Sequence, residues 1–348
     1  MDRILTIVGA RPQFVKAAPL VAEFKKRFDH TLLHTGQHFD DAMSGAFFRE
    51  LGLPRPRIHL GIAGGTHGAM TGAMLAAIEK ALLRVKPAMV IVLGDTNSTL
   101  AGALAAAKLH IPLAHVEAGL RSFDMKMPEE VNRRVTDHVS NLLFCPTSGA
   151  AANLTREGIR RGVFVVGDVM ADVLKQMRRP ARAALRGMNL PRDFYFATVH
   201  RQENTDDRAR LFGILDALGR LSHPVVLPLH PRTRGRLKAF RIRVPPNLRT
   251  RGPVSYTESL ALSLGARAIL TDSGGLQKEA YWLGVPCITL RDETEWVETV
   301  EAGWNVVVGA NMARIVQLVE TFSSPASHPT LYGDGHATER IVQILAAY

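Results

Sequence analysis

The feature that most constrains this chain is an alternation. Short apolar runs rich in β-branched residues, each followed by a longer helical or loop stretch, recur from one end to the other. Apolar runs of about four to eight residues bounded by Gly or Pro read as buried strands, and strands alternating with helical stretches predict βαβ units in a parallel sheet. The predicted strands are 4–9, 31–35, 89–94, 112–117, 142–146 and 163–167; after an Arg-rich segment the rhythm restarts at 194–199, 224–229, 268–272, 287–291 and 305–309. Two such series, separated near residues 168–190, predict an α/β protein of two Rossmann-like, doubly wound domains facing a central cleft, residues 1–168 and 169–335.

Composition narrows the class. A chain of 348 residues is long enough for two domains with cores of their own. Its 46% hydrophobic and 22% charged residues are those of a globular protein. No apolar run approaches the roughly 20 residues needed to cross a bilayer. The first run ends at Gly9, too short for a signal peptide, so the expectation is a cytoplasmic protein with no membrane partner. Cys145 and Cys287 both fall within predicted strands, which makes them core residues and excludes a disulfide framework or a Cys-rich zinc site. The net charge of +11 draws on Arg-rich stretches mainly between Arg156 and Arg251. With 6% aromatics and no helix-turn-helix or zinc-finger spacing, an anionic small molecule is the expected partner, not nucleic acid.

Chemistry-bearing residues gather at strand ends, the edge of an open parallel sheet where ligands bind. The stretch from Gly94 to His138 puts Asp95 and Glu117 just after adjacent strands and Glu129 and Glu130 in a Pro-marked loop, with His115, Arg121 and Arg133 among them. Acids delivered to one crevice by separate strands point to proton transfer. After the first strand, Gly9 allows a turn and Pro12 suits a helix start, which aims Arg11 and Lys16 at an anion near that helix N-terminus. Gln37 and His38 follow the second strand. In the second series His200 ends one strand, with Arg201, Glu203 and Asn204 behind it, and His230 and Arg232 follow the next. Ser273, Gly274 and Gly275 then lead into a helix bearing Gln277 and Glu279. Two glycines let backbone N–H groups approach a phosphate, and Glu279, about one turn on, is placed to accept paired hydroxyls such as those of a ribose. No G-x-G-x-x-G follows the first strand, no P-loop is present and no H-E-x-x-H spacing occurs, so no bound nicotinamide, no P-loop kinase and no dedicated metal site is expected. The small-residue run Gly64–Ala77 predicts a tightly packed helix, at a subunit interface or within the fold.

Taken together these motifs resemble the non-hydrolysing UDP-N-acetylglucosamine 2-epimerases over nearly the whole chain. The resemblance rests on G-x-R-P-x-x-x-K (Gly9–Lys16), Gln37-His38, G-D-T (Gly94–Thr96), H-V-E-A-G-L-R (His115–Arg121) and P-E-E-x-N-R (Pro128–Arg133). It continues through His200, His230-Pro231, T-D-S-G-G-x-Q-x-E (Thr271–Glu279) and Y-G-x-G (Tyr332–Gly335). It implies the two-domain GT-B-type fold, with the last helix, 336–348, crossing back to the N-terminal domain. The implied reaction is inversion at C2 of a UDP-linked 2-acetamido sugar through UDP elimination to a 2-acetamidoglucal and re-addition. It needs no cofactor and is carried out by a homodimer that supplies polysaccharide precursors. Carried onto this chain, it implies Asp95, Glu117 and Glu129 as the acid–base set, with Glu129 favoured over Glu130. Arg11, Lys16, His200 and Ser273–Gly275 would stabilise the leaving diphosphate, and His230, Arg232 and Glu279 would complete the UDP site.

The chain also departs from the family pattern. Where many members read T-E-R-P-E this sequence reads T-E-W-V-E, so Trp296 stands in the place of an Arg that helps hold the diphosphate, and Arg291, Arg232 or another residue must compensate. Ala10 replaces the usual Thr, and Gln13-Phe14 the commoner Glu-Ala. The R-P-Q-F and T-E-W patterns resemble the branch acting on UDP-2,3-diacetamido-2,3-dideoxy-glucuronate, which leaves the C3 and C6 substituents open. Asp40, Thr66 and His67 match the family's regulatory substrate site only loosely, and no regulation is predicted. A sugar transferase of the same fold would need an acceptor site but no cluster of acids, and a nucleotide-sugar sensor would have no use for them.

Overall fold

The structure, a computed structural model, describes residues 2–37, 48 and 50–348. The chain divides into two units: Met1–Lys175 with Tyr332–Tyr348, and Gln176–Leu331.

In chain order the first unit runs β1 (Arg3–Val8), α1 (Arg11–Arg27), β2 (Asp29–His34), β3 (Ile58–His59), α2 (His67–Val85), β4 (Met89–Leu93), α3 (Asn97–Lys108) and β5 (Leu113–Val116). It continues with α4 (Pro128–Val139), β6 (Leu142–Cys145), α5 (Ser148–Arg156), β7 (Val163–Val165) and the start of α6 (Val169–Gly187). Among the described residues its sheet has seven strands, in the order β3-β2-β1-β4-β5-β6-β7. Every pairing is parallel. A parallel sheet is covered on both faces, so its inner strands are mostly apolar on both sides and the two faces separate only by alternation. In β1 and β4, Ile4, Val8, Met89, Ile91 and Leu93 pack on one face with Phe14, Leu20 and Phe24 of α1. Leu5, Ile7, Val90 and Val92 pack on the other with Met74 and Ile78 of α2 and the alanines of α3.

The second unit repeats the scheme: β8 (Tyr195–Thr198), α7 (Gln202–Thr205), α8 (Arg208–Gly219), β9 (Val225–Pro228), α9 (Pro231–Ala239), β10 (Leu248–Arg251), α10 (Tyr256–Gly265), β11 (Ile269–Thr271), α11 (Gly274–Leu283), β12 (Cys287–Thr289), α12 (Val297–Glu301), β13 (Asn305–Val307) and α13 (Met312–Thr321). Six strands lie in the order β10-β9-β8-β11-β12-β13, again all parallel. Both sheets therefore reverse direction beside their first strand, between β1 and β4 and between β8 and β11. Those reversals are the topological switch points of doubly wound folds.

All the predicted strands are present; β3 and β10 are additional. Both sit at sheet edges, where strands are short and polar, and Leu248-Arg-Thr-Arg251 offers no apolar run to read. The division between units falls inside α6, after Lys175, instead of at 168. The first turn of α6 is tied to the start of the last helix, α14 (Ala337–Ala347): Asp172 accepts from the amides of Ala337 (3.2 Å) and Thr338 (2.6 Å). The Asp168 amide also donates to the Tyr332 carbonyl at 2.9 Å, so residues 332–335 belong with the first unit as well. Ile341, Val342 and Leu345 of α14 complete the core on the α1 face. The small-residue run is helical only from His67, and within it Met74 is fully buried while Met70 and Leu75 pack partly against the same core. Gly68, Gly72 and Ala73 are exposed. Cys145 and Cys287 are buried free thiols, as their strand positions predict.

Candidate active site

The switch point of the first unit is braced by one neutral side chain. The Gln13 carbonyl accepts from the amides of Gly9 (2.8 Å) and Ala10 (3.0 Å), while its NH₂ group donates to the Leu93 carbonyl (2.8 Å) and the Thr99 hydroxyl (3.0 Å). It thereby caps α1, whose N-cap residue Ala10 has no side-chain oxygen, and ties the end of β1 to the end of β4. A glutamate at this position would accept but not donate, which accounts for the Gln-Phe departure at its first residue. At the second, Phe14 stacks on His34 with centroids 5.0 Å apart.

Beside this brace stand the charged groups. Asp95 follows β4 and Glu117 follows β5, as predicted. Lys16, on α1, is hydrogen-bonded to the Glu117 carboxylate, and both are largely buried. Burial opposes the Lys16 charge, but Glu117 and then Asp95 outweigh it, so its pKa lies above the ordinary value. Glu117 has φ +69° although it is not glycine, a left-handed conformation that costs on the order of 1 kcal/mol or more. Gly94 has φ +64°, and a Cβ there would lie 3.5 Å from both the Lys16 Nζ and a Glu117 carboxylate oxygen. Asp95 accepts from Arg133 Nε (3.1 Å) and Nη2 (2.8 Å), and its carbonyl accepts from Asn132 (2.8 Å).

The two glutamates of the P-E-E motif separate. Glu129 is exposed at the first turn of α4. Glu130 is fully buried and accepts from Arg133 (2.9 Å), Arg134 (3.2 Å) and the amide and hydroxyl of Ser122 (2.9 and 3.1 Å). Burial pushes its pKa up, but these donors prevail and hold it below the usual carboxylate value. Glu130 thus fixes the loop that precedes α4, while Glu129 points a carboxylate to solvent.

In the second unit the brace is an anion. Asp272, fully buried after β11, accepts from the amides of His200 (2.8 Å) and Arg201 (2.9 Å) and from the Asn204 side chain (3.2 Å). One of its carboxylate oxygens also lies 3.2 Å from His200 Nδ1, which orients that half-buried ring with Nε2 turned away from the brace. His230 lies beside it, with ring centroids 5.5 Å apart. Arg232 is committed to Asp206 at 3.3 Å, so it reaches this group as half of an ion pair.

Ser273 precedes α11, and its hydroxyl makes no capping bond. Gly274 opens the helix against the Glu295 carboxylate; a Cβ there would meet it at 2.2 Å, so a larger residue would displace the Glu295 side chain. Glu295 in turn holds Arg291 at 2.6 Å, and Arg291 lies 3.3 Å from Glu203. That chain brings the Arg291 cation to the start of α11. Trp296 also lies there, with the buried Lys278 ammonium 4.1 Å from its ring centroid. Burial pushes the Glu279 carboxyl up to about 7 against the lowering effect of the Tyr256 hydroxyl and Lys278.

The structure thus gathers Lys16, Asp95 and Glu117 in the first unit. Arg11 opens α1, half-buried. In the second unit His200 and His230 form one group, and Ser273, Gly274, Gly275 and Glu279 lie along the first turns of α11. His38 and Asp40 lie outside the described residues. Asp272, Gln13 and Asn132 are the supporting residues that sequence reasoning did not assign. The available signal was an Asp, Gln or Asn abutting a strand end beside a residue already singled out. Among the described residues no cluster of three or more His, Cys, Asp or Glu is arranged to hold a metal ion, and no helix is long and apolar enough to cross a membrane.

Two parallel sheets of this strand order, each with its polar residues at the carboxyl ends, define a GT-B-like α/β protein. A calicheamicin glycosyltransferase shares the fold at a TM-score of 0.57 and 14% identity, covering 100% of this chain and 94% of that one. The chain belongs to the UDP-N-acetylglucosamine 2-epimerase family, whose family model matches residues 22–346. It is 50% identical to a UDP-N-acetylglucosamine 2-epimerase homolog of Methanococcus maripaludis and 49% identical to the UDP-2,3-diacetamido-2,3-dideoxy-D-glucuronate 2-epimerase of Pseudomonas aeruginosa. Each alignment covers 99% of both chains. The crystal structure of Methanocaldococcus jannaschii UDP-GlcNAc 2-epimerase in complex with UDP-GlcNAc and UDP superimposes with a TM-score of 0.89 at 44% identity, covering 99% of this chain and 100% of that one.

Proposed function

We propose that this protein interconverts UDP-GlcNAc and UDP-ManNAc, without a cofactor, by eliminating UDP and adding it back. A base takes the C2 proton while the C1–O bond to the diphosphate breaks and its electron pair leaves with UDP, forming the C1=C2 bond of 2-acetamidoglucal. On return, UDP rejoins C1 and a proton is delivered to C2 from the opposite face. Inversion requires proton exchange on two faces, which is the use for more than one carboxyl group.

The observation that carries this reading is the set in the first unit: Asp95 and Glu117 at the ends of adjacent strands, each already paired with a cation, in a chain of this family. In this reading Asp95, Glu117 and Glu129 exchange the protons. The second unit binds the nucleotide, with His200 and the Ser273–Gly275 amides stabilising charge on the departing diphosphate and Glu279 accepting from the ribose. Arg291, drawn to α11 by Glu295, is the cation that makes up for Trp296. Arg11, Lys16, His230 and Arg232 complete the charge around the diphosphate. The protein acts in the cytoplasm as a homodimer.

A second reading, epimerisation of UDP-2,3-diacetamido-2,3-dideoxy-glucuronate, is favoured by the 49% identity to the Pseudomonas aeruginosa enzyme and by the R-P-Q-F and T-E-W patterns. It changes the substituents at C3 and C6 and leaves the chemistry at C2 untouched. The test is incubation with each sugar nucleotide in D₂O, with no acceptor and no NAD. Deuterium at C2 of both epimers establishes the reaction, and the ratio of kcat/KM values selects the substrate. Consumption only when an acceptor is added would make the protein a transferase, and no turnover of either compound would sink the proposal.

A further inference from the structure

One buried titratable residue has no part in the chemistry above. His115 lies in β5, opposite Val92 of β4, and is completely buried. Its Nδ1 is 2.7 Å from the Asp137 carboxylate, and its Nε2 is 2.8 Å from the carbonyl of Gly94, the residue before Asp95. A backbone carbonyl can only accept a hydrogen bond. Asp137 is held as a carboxylate, since it also accepts from the Gly119 amide (3.1 Å) and from Arg121 (2.7 Å). Both nitrogens of the ring therefore face acceptors, and a neutral imidazole has one N–H to give.

The charges around the ring agree. Arg121 forks onto Glu157 with bonds of 2.8 and 2.7 Å, so Glu157, Arg121, Asp137 and His115 form a continuous chain. Arg134, 4.0 Å from Glu157, continues the chain to Glu130, and Arg133 joins Glu130 to Asp95, so four carboxylates face three guanidiniums and a cationic His115 cancels the remaining negative charge. Cys145, the other titratable group near Asp137, is a thiol whose pKa burial pushes up to about 12, so it adds no charge. Lys16 and Glu117, beyond Gly94, neutralise each other.

We propose that His115 is a positioning residue, held as an imidazolium that donates from both ring nitrogens and clamps the Gly94–Asp95 turn to α4 through Asp137. The turn is then fixed at three points: the Gly94 carbonyl by His115, the Asp95 carbonyl by Asn132 and the Asp95 carboxylate by Arg133. A misplacement of about 1 Å at a reacting group costs roughly 100-fold in rate, so such a clamp acts on turnover more than on affinity. The importance of Asp95 rests on the proposed epimerase reaction; the state of the ring does not.

Two measurements on the full-length protein keep those apart. In ¹⁵N-histidine-labelled wild type at pH 7.5, NMR is expected to show one buried ring with protons on both nitrogens. That ring is identified as His115 by its absence in His115→Phe. One unprotonated nitrogen overturns the proposal whether or not the protein turns over UDP-GlcNAc. In steady-state kinetics His115→Phe and Asp137→Asn are expected to lose about 100-fold in kcat with KM and UDP affinity within about threefold. Wild-type kcat in a folded His115→Phe would overturn it too. If His115→Phe does not fold, Asp137→Asn, which keeps the shape and removes the counter-charge, carries the kinetic test. A loss confined to KM there overturns the clamp.

Discussion

The two units share one strand order and differ in what ties each switch point together. In the first, the tie is the uncharged Gln13 amide, and the charged groups around it stand in opposite-sign pairs, Lys16 with Glu117 and Arg133 with Asp95. In the second, the tie is the Asp272 carboxylate, which absorbs the backbone donors after β8 and leaves His200 facing outward. A neutral tie leaves the carboxylates beside it governed by their own cations. An anionic tie takes up the donors of the turn after β8 and fixes the orientation of the His200 ring. One topology is therefore braced in two electrostatic ways, and the difference comes from one residue at each reversal.

The comparison breaks most sharply at Asp95. Asp95→Asn keeps the shape and the Arg133 contact but cannot exchange a proton, so turnover is expected to fall by about 1,000-fold or more with UDP affinity by calorimetry unchanged. Retained activity would make Asp95 structural.

Glu130 and Glu129 test whether neighbouring carboxylates divide the labour. Removing the fully buried Glu130 charge from under Arg133 and Arg134 is expected to cost about 3 kcal/mol in denaturant melts. Glu129→Gln is expected to leave stability within about 0.5 kcal/mol and lower kcat alone.

For the second unit, His200→Ala is expected to weaken UDP binding and turnover together by about 10- to 100-fold if the ring takes its proposed place at the leaving diphosphate. Unchanged constants would take His200 out of the site.

Glu279 adds a pH signature. Its folded-state value, about 7, lies above that of an unfolded glutamate, so the folded protein prefers the protonated form. Stability is then expected to fall as pH rises from about 4.5 to about 7 and to stay lower above it, by at most about 3 kcal/mol. Glu279→Gln should flatten that slope. If the carboxylate accepts from the ribose, wild-type UDP affinity should rise through pH 7 while that of the Gln variant does not.

The smallest expected effect is at Glu295, which sits at the start of α11 where a phosphate would bind. Glu295→Gln releases the Arg291 that its carboxylate draws to α11 and is expected to weaken UDP binding about threefold to fivefold, as is Arg291→Gln. Tighter binding in Glu295→Gln would show that its carboxylate competes with the ligand and does not serve to position Arg291.

Much of this was legible in the residues themselves. Strand ends are readable because an apolar run must stop where the chain leaves the sheet, so Asp95, Glu117, His200 and Ser273 announce their own positions. Helix starts are nearly as clear: Pro12 and the Gly pair at 274 and 275 mark α1 and α11. The edge strands β3 and β10 left no such trace, because an edge needs no apolar run. The distinction between Glu129 and Glu130 was equally hidden, since adjacent residues lie about 100° apart around a helix and only packing decides which of them is covered.

The sequence by itself determined the class of fold, the strands of both sheet interiors and the family, because periodicity and residue type are local properties that burial on two faces enforces. Only the tertiary structure decided which groups are partners. Gln13 reaches the end of β4, Asp137 reaches His115, and Asp272 gathers a turn 71 and 72 residues away. The strength and sign of an electrostatic contact depend on distance and on exclusion of water, and neither exists until the chain has folded.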